Sequence, residues 1–183
     1  MLEASQVSTE KELQQILHLQ RQNLHGINDY AIEKEQGFVT VTHSLEQLKQ
    51  MHNIAASVIV KEDDVLAGYA LVMPIACSTV VPELFPMFER FGKMKYTGKP
   101  VEQYNFYVMG QICVAAAYRG KGVFDMLYNK HREAFQNKYD FIITEIATRN
   151  ARSIRAHERI GFKTVDIYKD DLDEWAVVIW DWS

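Results

Sequence analysis

Apolar residues recur along this chain with two different periods, and each change of period marks an element. Phe106, Val108, Gly110, Ile112 and Val114 alternate with Tyr107, Met109, Gln111 and Cys113, the two-residue period of a β-strand. From position 123 the period becomes helical: Val123, Leu127, Tyr128, His131, Ala134 and Phe135 share one stripe, predicting a helix over 123–137. The apolar run 140–147 predicts another strand. A strand–helix–strand unit of this length predicts that 105–114 and 140–147 lie parallel with a right-handed crossover.

Upstream, Leu13, Ile16, Leu17, Gln20 and Leu24 trace one helix face over 9–24, opened by a Thr9/Glu12 capping box. Ser44 and Gln47 form a second capping box ahead of Leu45, Leu48 and Met51. The β-rich runs 54–60 and 65–75 predict a hairpin turning at 61–64. Positions 82–94 predict a short helix or insertion interrupted at Pro86, with Phe85, Phe88 and Phe91 seeking cover. Thr-Gly-Lys-Pro at 97–100 is turn chemistry leading into strand 105–114. Downstream, 150–159 predicts a helix closed by Gly161, followed by strands 162–168 and 174–182 around an acidic turn at 170–173. Tyr30 and Phe38 are expected to pack.

Composition narrows the function. At 183 residues, with no linker, repeat or low-complexity tract, residues 1–183 are expected to form one domain. Its 20 Lys+Arg against 24 Asp+Glu, net −4, give no basic footprint for nucleic acid. Cys77 and Cys113 have no metal or redox spacing, and His18, His25, His43, His52 and His131 have none with carboxylates, so no metal is expected. No apolar run approaches membrane-spanning length and the first residues lack signal-peptide character, so a cytoplasmic protein is expected. A P-loop is excluded, because Gly-x-x-x-x-Gly-Lys-Ser/Thr is absent.

The chemistry concentrates at Arg119-Gly120-Lys121-Gly122, between the strand and the helix at 123. Two glycines allow close backbone approach, and a helix start offers unpaired N–H groups at the positive end of its dipole. With Arg119 and Lys121 they suit an anion such as a phosphate; the competing reading is a plain polar turn.

Two segments, Tyr118-Arg119-Gly120-Lys121-Gly122-Val123 and Asn150 through Phe162, resemble the paired motifs of the GCN5-related N-acetyltransferase (GNAT) superfamily. Phe124 departs from it, standing where a small residue is usual, and so does His157, where Tyr is common. The resemblance implies an α/β (α+β) fold: a mixed, mostly antiparallel central sheet with helices on both faces and a splayed parallel strand pair. It also implies acetyl-CoA as co-substrate, with the backbone amides of Arg119, Gly120, Lys121, Gly122, Val123 and Phe124 holding its pyrophosphate. Ile112, Cys113 and Val114 would pair with the pantetheine arm, and an amide near Val114 would polarise the thioester. Gly110 is a candidate for the bulge that opens the gap. Asn150 would touch the arm, or simply cap its helix.

By the same resemblance Glu145 is the candidate base that deprotonates an amine, against the plain reading of a solvated or ion-paired carboxylate. His157 would be the acid, a base, or a packed helix histidine. Cys113 is either a site of acyl transfer or small apolar filler. The expected partner is a small-molecule or peptide amine. Aromatic and acidic residues of 24–43 and 76–104 (Tyr30, Phe38, Glu83, Phe85, Phe88, Glu89, Tyr96, Glu102, Tyr104) would suit a cationic acceptor. Tyr104, Tyr107, Tyr168, Trp175, Trp180 and Trp182 fall at alternating strand positions, suited to a core or a homodimer edge. The alternatives are an acyl-CoA-binding or sensing protein without turnover, and a structural module that binds nothing.

Overall fold

In the computed structural model, residues 1–24, 26 and 39–183 are described; the expectations for His25, Tyr30 and Phe38 lie outside them. The α-helices among these residues are α1 (Glu10–Gln22), α2 (Leu45–Ile54), α3 (Phe85–Lys93), α4 (Val123–Phe135) and α5 (Ala151–Ile160). The strands are β1 (Leu2–Gln6), β2 (Val58–Glu62), β3 (Val65–Pro74), β4 (Lys95–Tyr96), β5 (Lys99–Pro100), β6 (Phe106–Val114), β7 (Phe141–Ala147), β8 (Lys163–Lys169) and β9 (Glu174–Asp181). All but β4 and β5 form a seven-stranded sheet in the order β1-β2-β3-β6-β7-β9-β8. Every pairing in it is antiparallel except β6 with β7. The sheet is therefore mixed and mostly antiparallel, as expected.

Helices cover both faces. Leu13, Ile16 and Leu17 of α1, Leu48 and Met51 of α2, and Phe88 and Phe91 of α3 pack on Tyr69, Leu71 and Met73 of β3. Val123, Leu127, Tyr128 and Phe135 of α4 cover the other face, against Val58 and Val60 of β2 and Val72 of β3. Both predicted capping boxes are present, at Thr9/Glu12 and Ser44/Gln47.

The parallel pair is short. β6 and β7 are in register only from Phe106↔Phe141 to Val108↔Ile143, and beyond that the two strands diverge. A bulge lies just beyond the last pair, at Gly110. Against β3 the register passes from Val72↔Met109 to Ala70↔Ile112, so β6 carries one residue more than its partner. A Cβ on Gly110 would lie 2.3 Å from Met73 Sδ, which explains why the bulge takes glycine. The extra residue also reverses the alternation of side chains. Phe106 and Val108 face α1–α3, and so does Cys113, whereas Tyr107, Met109, Ile112 and Val114 face α4.

Three expectations need correction. Ile54 belongs to α2, where Ala55 N still donates to Met51 O at 2.9 Å, and β2 starts only at Val58. The following turn narrows to Asp63-Asp64, with Asp63 left-handed at φ 52°. Pro86 does not interrupt a helix; it sits in the first turn of α3, where its missing N–H has no partner to lose. The turn at 97–100 is a tight β4–β5 hairpin in which Thr97 and Gly98 both have positive φ, 45° and 85°.

Candidate active site

Among the described residues the gap between β6 and β7 presents free backbone. Ala115 N donates to Ala67 O of β3 at 2.9 Å, so in an antiparallel ladder Ala115 and Cys113 direct their polar groups to β3. The intervening Ile112 and Val114 direct theirs to the open edge. Thr144 Oγ1 of β7 donates to Met109 O at 2.7 Å and closes the foot of the gap. The Val114 carbonyl accepts from Arg119 Nε at 3.2 Å, leaving the Val114 N–H available.

The gap opens into a cleft of about 400 Å³. Ile112, Cys113, Val114, Arg119, Gly120, Gly122, Val123, Phe124 and Asn150 all line it; Lys121, Glu145 and His157 do not. Gly120 and Gly122 have φ of 75° and 79°, and nothing among the described residues lies within 4 Å of where a Cβ would stand on either. This leaves a bare backbone cradle at the start of α4, where L side chains would be strained. The expected row of amides is thinner than the sequence implied. Arg119 N donates to Ala116 O and Lys121 N to Tyr118 O, both at 3.3 Å, so these two serve the loop's own turn. The amides of Gly120, Gly122, Val123 and Phe124 have no partner among the described residues, since the first bond of α4 is Met126 N to Gly122 O. The Arg119 guanidinium turns back across the molecule, and Nη2 meets Asn23 Oδ1 at the end of α1 at 2.6 Å. Lys121 Nζ stands 5.2 Å from the Tyr118 ring centroid. Asn150 lines the cleft and caps α5, accepting from Ser153 N at 3.2 Å.

Glu145 lies on the other face of the sheet. Its partner across β7–β9 is Val177, which is buried in the α1–α3 core, and directly opposed residues share a face. Tyr168 OH donates to Glu145 Oε2 at 2.5 Å, while Oε1 has no partner among the described residues. Burial pushes this carboxyl up to about 7; the Tyr168 hydrogen bond and Arg90 oppose that, and Asp170 adds to it.

His157 is differently placed. It is 1% exposed, and both ring nitrogens are engaged. Nδ1 lies 2.7 Å from Ser153 O, which can only accept, so the proton is on Nδ1. Nε2 therefore accepts from Tyr128 OH at 2.6 Å. Burial pushes the imidazole down to about 4 and holds it neutral.

A sequence profile of the Acetyltransferase (GNAT) family matches residues 25–162. The chain belongs to the GNAT acetyltransferase family. Solved structures share its fold. Ribosomal-protein-S18-alanine N-acetyltransferase from Escherichia coli superposes over 100% of this chain and 95% of its own, with a TM-score of 0.66 at 12% identity. For an N-acetyltransferase from Staphylococcus aureus Mu50 the coverages are 100% and 99%, the TM-score 0.63 and the identity 18%. For the NatC complex bound to Gag peptide and CoA the coverages are 98% and 98%, the TM-score 0.65 and the identity 12%. At such identities the likeness speaks for the fold alone. A comparison with curated proteins finds no match.

Within the GNAT frame the two departures meet. The Phe124 ring lies edge-on to His157, centroids 5.2 Å apart, and Phe162 packs on the same imidazole at 5.0 Å. Phe124 lines the cleft and His157 does not, a placement that favours the packed-histidine alternative for His157. For Cys113 burial pushes the thiol up to about 12, which favours the reading as small apolar filler over a nucleophile. Of the acceptor-side residues, Phe88 is core, and Tyr96 and Tyr104 pack edge-on or tilted against Phe141 at 5.4 and 5.3 Å.

Sequence reasoning missed Tyr168, which reaches Glu145 only because β9 lies between their strands. It also missed a buried polar cluster behind the gap. Gln20 Nε2 and Tyr69 OH both donate to Gln111 Oε1, at 2.6 and 2.5 Å, and Gln20 also engages the His43 ring and backbone at 2.8 Å. Polar residues on otherwise apolar stripes were the available signal. Among the described residues no cluster of three or more His, Cys, Asp or Glu suits a metal, and no helix is long and apolar enough to cross a membrane.

Proposed function

We propose that residues 1–183 act as one cytoplasmic N-acetyltransferase domain that moves an acetyl group directly from acetyl-CoA to the primary amine of a small molecule or peptide. The observation that carries this is the β6–β7 gap, whose free edge at Ile112 and Val114 leads into the bare Gly120/Gly122 cradle. The residues fit the donor. Amides of Gly120, Gly122, Val123 and Phe124 would hold the pyrophosphate, and the edge of Ile112 and Val114 would pair with the amide groups of the pantetheine arm. The cofactor supplies an activated thioester, whose C–S bond is exchanged for a C–N bond while the electron pair leaves with sulfur.

The chain's own residues handle position and protons. The Val114 N–H is suited to donate to the acyl oxygen, an interaction commonly worth a few kcal/mol. An alkylammonium with a free pKa near 10 must lose a proton before it can attack. Glu145 is the base, because a carboxyl held near 7 on the face opposite the cofactor cleft is close to working pH. The NatC structure carries a peptide and CoA, and the Escherichia coli protein is named for an alanine of a ribosomal protein; both favour a peptide or protein amine.

Acetyl-CoA should raise the melting temperature by several degrees at saturation, and adding an acceptor amine should release CoA thiol. No thermal shift would overturn the reading. A shift without thiol release across a broad panel of peptide and small amines would favour the non-catalytic acyl-CoA-binding alternative, to which the withdrawal of His157 lends support.

A further inference from the structure

Glu145 is the last member of a chain of contacts that begins on α3. Arg90 Nη2 meets Asp166 Oδ2 of β8 at 2.5 Å. The same guanidinium carbon lies 3.8 Å above the ring of Tyr168, two residues further along β8 and so on the same face. Tyr168 OH then reaches over β9 to Glu145 Oε2 at 2.5 Å. The register explains the reach: Glu145 is level with Val177, and Tyr168 with Trp175, so the phenol spans one strand diagonally. A tyrosine pinned from above by a guanidinium and committed at its tip to one carboxylate oxygen has little freedom left.

We propose that Tyr168 is a positioning residue for acetyl transfer: clamped by Arg90, it ties down Oε2 of Glu145 and leaves Oε1 as the oxygen that receives the acceptor's proton. This rests on the reading of Glu145 as base. In that step an N–H bond of the ammonium breaks, its electron pair stays on nitrogen, and the proton bonds to Oε1. The hydroxyl of Tyr168 remains a donor throughout, because burial and the neighbouring carboxylates raise its own pKa.

The groups facing Glu145 act with defined signs. Tyr168 from β8 and Arg90 from α3 favour the carboxylate, and Asp170 from the β8–β9 turn opposes it. Asp166 is paired with Arg90, and β9 places the apolar Val177 level with Glu145 and the uncharged Trp175 level with Tyr168. Losing the Tyr168 hydroxyl should therefore raise the Glu145 midpoint, losing Arg90 should raise it less, and losing the Asp170 charge should lower it.

The test has two readouts on the full chain. One is the titration of 13C-labelled Glu145, its resonance assigned with Glu145→Gln. The other is the acid limb of kcat/KM, from thiol release with acetyl-CoA and a short peptide bearing a free N-terminal alanine. Expected are a wild-type midpoint near 7, a rise of about one pH unit in Tyr168→Phe, a smaller rise in Arg90→Met and a fall in Asp170→Asn. The kinetic limb should follow the midpoint in each variant. A midpoint that moves in neither Tyr168→Phe nor Arg90→Met overturns the proposal, and so does a limb that stays fixed while the midpoint moves. If Tyr168→Phe does not fold, Arg90→Met carries the same decision. Glu145→Gln separates the two levels. Full activity there sinks the base reading together with this proposal, whereas lost activity with a limb that ignores Tyr168 sinks the proposal alone.

Discussion

Half-buried Glu145 and fully buried His157 are both ionisable residues whose surroundings give them opposite prospects. His157 has spent both nitrogens, one on Ser153 O and one on Tyr128 OH, and is walled from the cleft by Phe124. Glu145 has spent one oxygen on Tyr168 and retains the other. Burial drives the histidine away from the working range, to about 4, and drives the carboxylate into it, to about 7. Burial alone therefore does not mark a catalytic group. What matters is whether the neutral form it enforces still has a free atom and a pKa that pH can reach.

The strongest way to break this contrast is Glu145→Gln, expected to lower kcat about a hundredfold or more. The same change should stabilise the fold at pH 8. Glu145 titrates near 7 when folded against 4.5 as its ordinary value, so the folded chain binds the extra proton in that window. Its contribution is thus full below 4.5 and lost as pH rises through 7. A melting temperature at pH 8 that falls in Glu145→Gln would contradict this.

Next in size is Gly122→Val, which separates donor binding from proton handling. A β-branched residue at φ 79° is strained, and it fills the cradle on the cleft wall. Calorimetry should show acetyl-CoA binding weakened about tenfold or more, equivalent to roughly 1.4 kcal/mol, with the Glu145 titration unchanged.

The smallest effect on rate is expected from His157→Phe, with kcat at saturating acetyl-CoA staying within about threefold. The cost falls on stability, because Tyr128 OH loses its acceptor in a closed core, about 1–3 kcal/mol. Melting curves against pH should also flatten. His157, depressed from 6.5 to about 4, contributes stability present above 6.5 and lost as pH falls through 4, since the unfolded chain takes up the proton first. His43 and His131, lowered to about 4 and about 3, keep their share of that slope. A tenfold fall in kcat would return His157 to the proton path.

The parts legible in the sequence were those fixed by neighbours along the chain. The capping boxes, the glycine loop, the helix between two parallel strands and the bulge at Gly110 are local patterns with one geometric solution each. Pro86 was misread because a proline that starts a helix and one that breaks it look alike without knowing where the first turn falls. Tyr168 was invisible for a different reason. Its contact with Glu145 depends on strand order and on Arg90, none of which sequence spacing encodes. Gln20 sat on an apolar stripe and passed for part of a helix face, although it anchors a buried cluster around Gln111.

The surplus residue at Gly110 has a reach beyond its own turn. By transposing inside and outside for the rest of β6, it decides that Gln111 and Cys113 look toward α1–α3 while Ile112 looks toward α4. Paired as an ordinary strand position, it would have turned Gln111 and Cys113 to the α4 face and Ile112 to the α1–α3 face. An imperfection in the pleat is what sets which side chains of β6 meet each layer of helices.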